Sequence, residues 1–315
     1  MYRPDLVYEV TSSTLSGSFA LRPCSESTER IVGVIGRALA LFPSIRIHAL
    51  NPLSTHTTEL ISASEPKQIP AYIDFTKTNI SKEIGALHGL REGVFSKRRA
   101  SVLPIAPDEA SLKWRLRYVL AQGTKEDLIE SPRDWPGVTG VHALERGEAL
   151  VGWWFDRTAE AKARGRGETF NKYDYGTQYL VPLTPLPCWD GLSSPAQRAM
   201  VTETIEEIVA TEGARRAAER KAVLGPAAVM AFSPSYIPEK LERSPAPRVL
   251  AASATAHRAL RRVLGEFCTS FWESSERLLA GALNVEFPAF SFPPGRRMTE
   301  GEAVPLDLAF ALAPG

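Results

Sequence analysis

Between Trp153 and Tyr175 the chain interleaves rings with cations: Trp153, Trp154, Phe170, Tyr173 and Tyr175 alternate with Arg157, Lys162, Arg164, Arg166 and Lys172. Rings that stack on bases, set among cations that hold phosphates, are the side chains of a surface for single-stranded nucleic acid. Some of these rings must also serve a core. A second basic run, Lys97, Arg98 and Arg99, follows a long amphipathic stretch, and such a run is either a solvated face or a phosphate contact. The whole chain of 315 residues holds 37 Lys+Arg and 36 Asp+Glu, a net charge of +1, so any nucleic-acid site has to be a local patch. His56 and Thr58 stand one residue apart in a segment patterned as a strand, and the period of two points both to one face while Glu59 points to the other. His48, on the preceding strand, reads as a packing or hydrogen-bonding histidine. Cys24, Cys188 and Cys268 are odd in number and far apart, which argues against a disulfide framework or zinc ribbon and fits a reducing compartment.

These residues need elements to place them. Residues 6–14 alternate Leu6, Tyr8 and Val10 on one face, the pattern of a half-buried strand. Ile31, Val34, Ile35, Ala38 and Leu39 give a helix that Pro43 stops. Residues 45–50, with Ile45, Ile47 and Ala49 inward, predict a second strand, and residues 57–62 a third. Ile69, Ile73, Ile80, Ile84 and Leu87 mark a long helix over 67–88 ended by Gly89 and Gly93. A basic extended segment follows, then Asp108 caps a helix over 108–122 along Leu112, Leu116, Val119 and Leu120. This order predicts an α+β domain over residues 1–145, an antiparallel sheet with both long helices on one face. Residues 146–315 read as a mainly helical region of proline-rich joints around two long helices, docked on that domain by Leu180, Val181, Leu183, Leu186 and Trp189. The start, MYRPDLVYEV, has no apolar signal core and no run is apolar enough to span a membrane, so the expectation is a cytoplasmic protein with no membrane partner.

Four stretches of residues 1–145 resemble the REP-associated tyrosine transposases, a branch of the HUH single-strand transposase superfamily. VYEVTSSTLSGSFALRP (7–23) resembles the first strand and its turn, IVGVIGRALALFP (31–43) the first helix, and HALNPLSTHTTELI (48–61) the strand pair that carries a Leu-Ser-Asn-His-Tyr-His pattern. LRYVLAQGTKEDLIESPRDWPG (116–137) is similar to the long Arg-Tyr…Trp-Pro-Gly signature and is the most specific of the four. PLPCW (185–189), RSPAP (243–247) and FPAFSFPPG (287–295) are similar to C-terminal hallmarks of one long subfamily. The resemblance implies a ferredoxin-like catalytic domain and single-stranded or hairpin DNA as ligand.

It also implies a chemistry. In the family two histidines on one strand face, with a polar side chain from a helix, hold Mg²⁺ or Mn²⁺ against the scissile phosphate, and a helix tyrosine attacks the phosphorus. Here the pair falls on His56 and Thr58, and a threonine hydroxyl is a weak donor beside imidazole. The tyrosine is expected near Ser81, where none stands; Tyr72 and Ser81 are the weak candidates, and Tyr118 reads as structural, stacked on Trp114. DNA contacts are expected from Lys97, Arg98, Arg99, Arg164, Arg166 and Lys172. These departures favour a transposase-derived DNA-binding protein with cleavage lost. The alternatives are an active transposase with a displaced tyrosine and Mg²⁺ or Mn²⁺, and a protein-interaction module that no longer binds DNA; a homodimer is compatible with each.

Overall fold

The computed structural model describes residues 1–169, 171–239, 247–295 and 298–301; Phe170 and most of the RSPAP stretch lie outside the described residues. The first half runs β1 (Tyr8–Ser13), α1 (Ser25–Leu41), β2 (Ile45–Leu50), β3 (His56–Ala63), α2 (Gln68–His88), β4 (Ser101–Pro104) and α3 (Glu109–Lys125). The four strands form one sheet in the order β2-β3-β1-β4 with every neighbouring pair antiparallel. This is the antiparallel α+β sheet that the element order predicts, in the ferredoxin-like strand order that the resemblance implies.

Local chemistry sets the helix ends. Cys24 is extended and caps α1: its Sγ accepts from Ser27 N at 3.4 Å, while Ser27 Oγ accepts from Cys24 N at 2.9 Å. Gly89 closes α2 with a left-handed φ of 67°, a conformation that costs glycine little for want of a Cβ. Asp108 caps α3 through Ser111 N at 2.9 Å, as its position predicts.

The two long helices do not share a face, contrary to the expectation from the sequence. Tyr8, Val10, Ile47 and Ile61 pack with α1 and α2, whereas Val7, Ala49 and Leu60 pack with α3 on the other side. The reason is in the strands. Leu60 and Ile61 are consecutive and both fully buried, as are Leu6 and Val7, so the sheet is apolar on both faces and each face demands a layer.

The second half completes these layers. It contains α4 (Val141–Arg146), β5 (Leu150–Phe155), α5 (Arg157–Gly165), β6 (Gly176–Val181), α6 (Ser194–Glu219), α7 (Pro226–Ala231) and α8 (Ala254–Leu279). Val201, Ile205 and Ile208 of α6 pack on α3, and Leu250 adds a parallel bridge beside Ile105 past the end of β4. The β5–β6 hairpin, which the periodicity did not announce, lies on α1. Glycine makes that approach possible: a Cβ on Gly33 would stand 2.0 Å from Trp153 O, and one on Gly152 2.3 Å from Gly33 N. The stack is therefore hairpin, α1 with α2, sheet, and α3 with α6. Among the described residues no helix is long and apolar enough to cross a membrane.

Candidate functional site

Alternation along β3 sorts its polar residues between the two faces. Thr58 and Leu60 face α3, while Glu59 and Ile61 face the α1–α2 layer. On α3, Tyr118 and Gln122 are separated by four residues and so share one helix face. Gln122 Nε2 donates to Thr58 Oγ1 at 3.2 Å, and Gln122 Oε1 is buried with no partner. His56, Tyr118, Gln122 and Lys125 line one cavity of about 370 Å³, walled on its apolar side by Phe19 and Phe232.

His56 is half-buried, its Nδ1 hydrogen-bonded with Thr55 Oγ1 at 2.9 Å. Burial pushes its pKa down to about 4, outweighing the amide of Gln122, which favours the charged ring. At neutral pH it is therefore an uncharged imidazole, the form that can ligate a metal. The Tyr118 ring is flanked by cations: the Arg115 guanidinium lies 3.7 Å and Lys125 Nζ 5.1 Å from its centroid. Arg115 is immobilised by a buried two-point pair with Glu9, Nη2 to Oε1 at 2.7 Å and Nε to Oε2. It also lies 5.2 Å from the Trp114 ring, so a guanidinium is the shared neighbour of both rings.

The other residues singled out from the sequence are dispersed. Tyr72 is fully buried on the opposite side of the sheet, where its hydroxyl donates to Glu59 Oε2 at 2.7 Å and burial pushes its pKa well up. Ser81 faces the loop after α2, its Oγ accepting from Val94 N at 3.1 Å. Neither stands at the His56 cavity. Lys97, Arg98 and Arg99 are exposed in the loop before β4, and Lys77 Nζ donates to the Arg98 carbonyl. Arg164, Arg166 and Lys172 are paired with Glu160 (2.7 Å), Glu168 (2.5 Å) and Glu29 (3.0 Å). Trp154 stacks on Phe75 at 5.8 Å within the hairpin–helix contact, while Tyr173 packs on Trp153 at 4.9 Å and stays partly exposed. His48 is buried, its Nδ1 hydrogen-bonded with the Thr184 and Pro185 carbonyls and its Nε2 with Ser62 Oγ.

Sequence reasoning set Tyr118 aside as structural and missed Gln122. The signal was their spacing of four on one helix, inside the most specific stretch of the family resemblance. The cavity also bears on a divalent ion. Among the described residues no three His, Cys, Asp or Glu are grouped to hold one. The donors at hand are instead His56 and the unpartnered Gln122 Oε1, while Thr58 is fully buried behind Gln122. One imidazole and one neutral oxygen fit Mg²⁺ or Mn²⁺ only loosely, with the remaining positions left to water and a phosphate oxygen.

No family model and no curated protein matches the sequence. Among solved structures, that of a REP-associated tyrosine transposase bound to a REP hairpin aligns with a TM-score of 0.37 and 15% identity, over 46% of this chain and 81% of that one.

Proposed function

We propose that the chain is a transposase-related DNA-binding protein and that the cavity between β3 and α3 is where it attacks a DNA phosphate, with Tyr118 as nucleophile. The observation that carries the reading is that Tyr118 and Gln122 project from one face of α3 into the cavity that holds His56. Of the two departures that favour lost cleavage, Thr58 in place of a histidine remains, while Tyr118 offers a tyrosine in the cavity. Motif resemblance in residues 48–61 and 116–137, the two stretches that build this cavity, supports single-stranded or hairpin DNA as the ligand.

The step is an in-line displacement. Tyr118 Oη forms a bond to phosphorus, the bond from phosphorus to the 3′ oxygen breaks, and the phenol proton passes through water to the departing 3′ oxygen; the products are a 5′-phosphotyrosine ester and a free 3′ hydroxyl. Mg²⁺ or Mn²⁺ bound by His56 and Gln122 would supply a Lewis acid for the non-bridging phosphate oxygen. Arg115 holds the phenol ring by its face, Lys125 adds positive charge beside it, and the apolar wall of Phe19 and Phe232 excludes water from one side. Thr58 leaves the ion one imidazole short, so the step is expected to be slow and to favour Mn²⁺, which takes nitrogen ligands more readily than Mg²⁺ does.

Thr58 favours a second reading, a DNA-binding protein that no longer cuts. The two are separated by incubating the chain with single-stranded and hairpin DNA in Mn²⁺ and resolving covalent adducts on a denaturing gel. An adduct that peptide mapping assigns to Tyr118 and that Tyr118→Phe abolishes is the expected result. DNA binding with no adduct, in the chain and in Thr58→His, would leave the binding-only reading standing; an adduct at Tyr72 or Ser81 would overturn the assignment.

A further inference from the structure

A second polar region lies on the opposite side of the sheet from Tyr118. Arg30 of α1 and Arg157 of α5 share one buried carboxylate, Glu83 of α2, at 2.8 and 2.5 Å. One carboxylate cannot satisfy two guanidiniums: Arg30 Nε and Arg157 Nη2 remain buried with no partner. Together with Arg164 they line a pocket of about 300 Å³. The pocket shares Ala86 with a groove of about 550 Å³ along α2, which carries Lys77, Lys82, Arg91 and Lys97. That groove shares Leu90, Arg91 and Gly93 with a cleft of about 390 Å³ between the loop at Ser16 and Ser18 and the loop at Pro234 to Ile237. At its far end, Phe19 and Pro238, the next residues along each loop, line the His56 cavity.

The three hollows adjoin one another through these shared residues, and the last lies beside the candidate site. Their linings hold seven Lys and Arg against three acids, Asp74, Glu92 and Glu160, in a chain whose total charge is almost balanced. At the turn between the cleft and the cavity, Phe19, Phe232 and Tyr236 pack ring to ring at 5.0 Å, and Tyr236 remains 44% exposed. Cations along a groove, with rings at its bend, is the construction that carries a phosphodiester backbone with its bases stacked.

We propose that this is a track for single-stranded nucleic acid, running from the Tyr118 cavity over Phe19 and Tyr236, along α2, to a terminal phosphate pocket at Arg30 and Arg157. The inference rests on the DNA-binding reading above and extends it. The strand engaged at the cavity continues around the end of the sheet, and the Arg30, Arg157 and Arg164 side chains that line the pocket receive a phosphate several nucleotides from the reacting one.

Length dependence of binding tests this. A single strand of about 4 nucleotides can fill the cavity alone, whereas one of about 16 nucleotides can also occupy the track. The longer strand should bind at least about tenfold tighter, and Lys82→Ala/Arg91→Ala, two exposed residues outside the cavity, should remove most of that gain while leaving the short strand unaffected. The salt slope for the long strand should fall by about 1.4, at roughly 0.7 per lost single-strand phosphate contact. A long strand carrying a photoreactive thiothymine at its far end should crosslink to peptides of α2 or α5. Equal affinity for both lengths, parallel weakening of both by the double substitution, or crosslinks elsewhere would overturn the track while the cavity reading stands. Failure of both strands to bind would sink the DNA reading itself.

Discussion

The grip on Tyr118 can be measured through the pair that supplies it. Arg115 and Glu9 are 8% and 5% exposed, joined at two points, and sit between β1 and α3. Arg115→Met keeps much of the side-chain volume and leaves Glu9 as a buried, unpaired carboxylate, a loss of about 3–5 kcal/mol. The stacked contact with Tyr118, at 3.7 Å, adds about 1–2 kcal/mol. Glu9→Gln leaves the guanidinium half-satisfied and should cost somewhat less. Because the charge left behind makes each single change costly, the double variant Glu9→Gln/Arg115→Met should be more stable than the sum of the singles implies, with a coupling of about 2–3 kcal/mol. The assay is urea unfolding of the four proteins followed by far-ultraviolet circular dichroism. Additive free energies, with no coupling beyond about 0.5 kcal/mol, would show that the pair is not a unit and would remove the basis for assigning Arg115 a role in holding the ring.

Other outcomes follow from the same geometry. Gly33→Ala should destabilise the chain by about 1–3 kcal/mol, because its methyl group meets the Trp153 backbone, and near-neutral behaviour in thermal unfolding would contradict the close contact of α1 with β5. Glu59 is pushed up to about 7, chiefly by burial, with the Tyr72 hydroxyl opposing. Its folded state therefore holds a proton that the unfolded chain gives up, and stability present below about pH 4.5 drains away as pH rises to about 7, by about 3 kcal/mol in all. Glu59→Gln should flatten that slope, and an unaltered pH profile would count against it. His56, pushed down to about 4, works in the other direction: stability is present above its ordinary value near 6.5 and falls as pH drops toward 4, a loss that His56→Gln should remove from unfolding curves taken between those limits. Replacing Lys97, Arg98 and Arg99 together by alanine should weaken DNA binding across sequences and reduce its salt slope, whereas an unchanged titration would exclude that loop from the interface.

Much of the fold was legible because hydrophobic periodicity is a local property. Ile31 to Leu39 and Leu112 to Leu120 mark helices by spacing alone, and the caps at Asp108 and Gly89 follow from residue chemistry. Sidedness was less accessible. Leu60 and Ile61 are adjacent, so a reading that assigns one buried face to β3 has to discard one of them; keeping both predicts a layer on each side of the sheet. The hairpin was hidden for a different reason. LVGWWF does not alternate, since Gly152 lies against α1 where a side chain would clash, and its tryptophans pack within the molecule rather than presenting both rings to a ligand.

The same loss of sidedness separates the tyrosine candidates. Tyr72 and Ser81 were chosen by their place along the chain, but a residue can act on a phosphate beside His56 only from the face to which His56 points. Glu59 faces α2 and is met there by Tyr72, which ties the one candidate tyrosine of that helix to the core. Thr58 faces α3 and is met there by Gln122, one turn beyond Tyr118. The period of two in β3 thus divides the polar residues between Glu59, sealed against Tyr72 on one side, and His56 and Thr58 on the other, where Gln122 meets the buried Thr58 and His56 shares a cavity with Tyr118. His56, Gln122 and Tyr118 line the cavity at which the proposed track ends. A strand that alternates polar residues between two covered faces can keep one set for stability and free the other for chemistry, and in this chain the side on which each helix packs decides which of them meets the core and which meets the cavity.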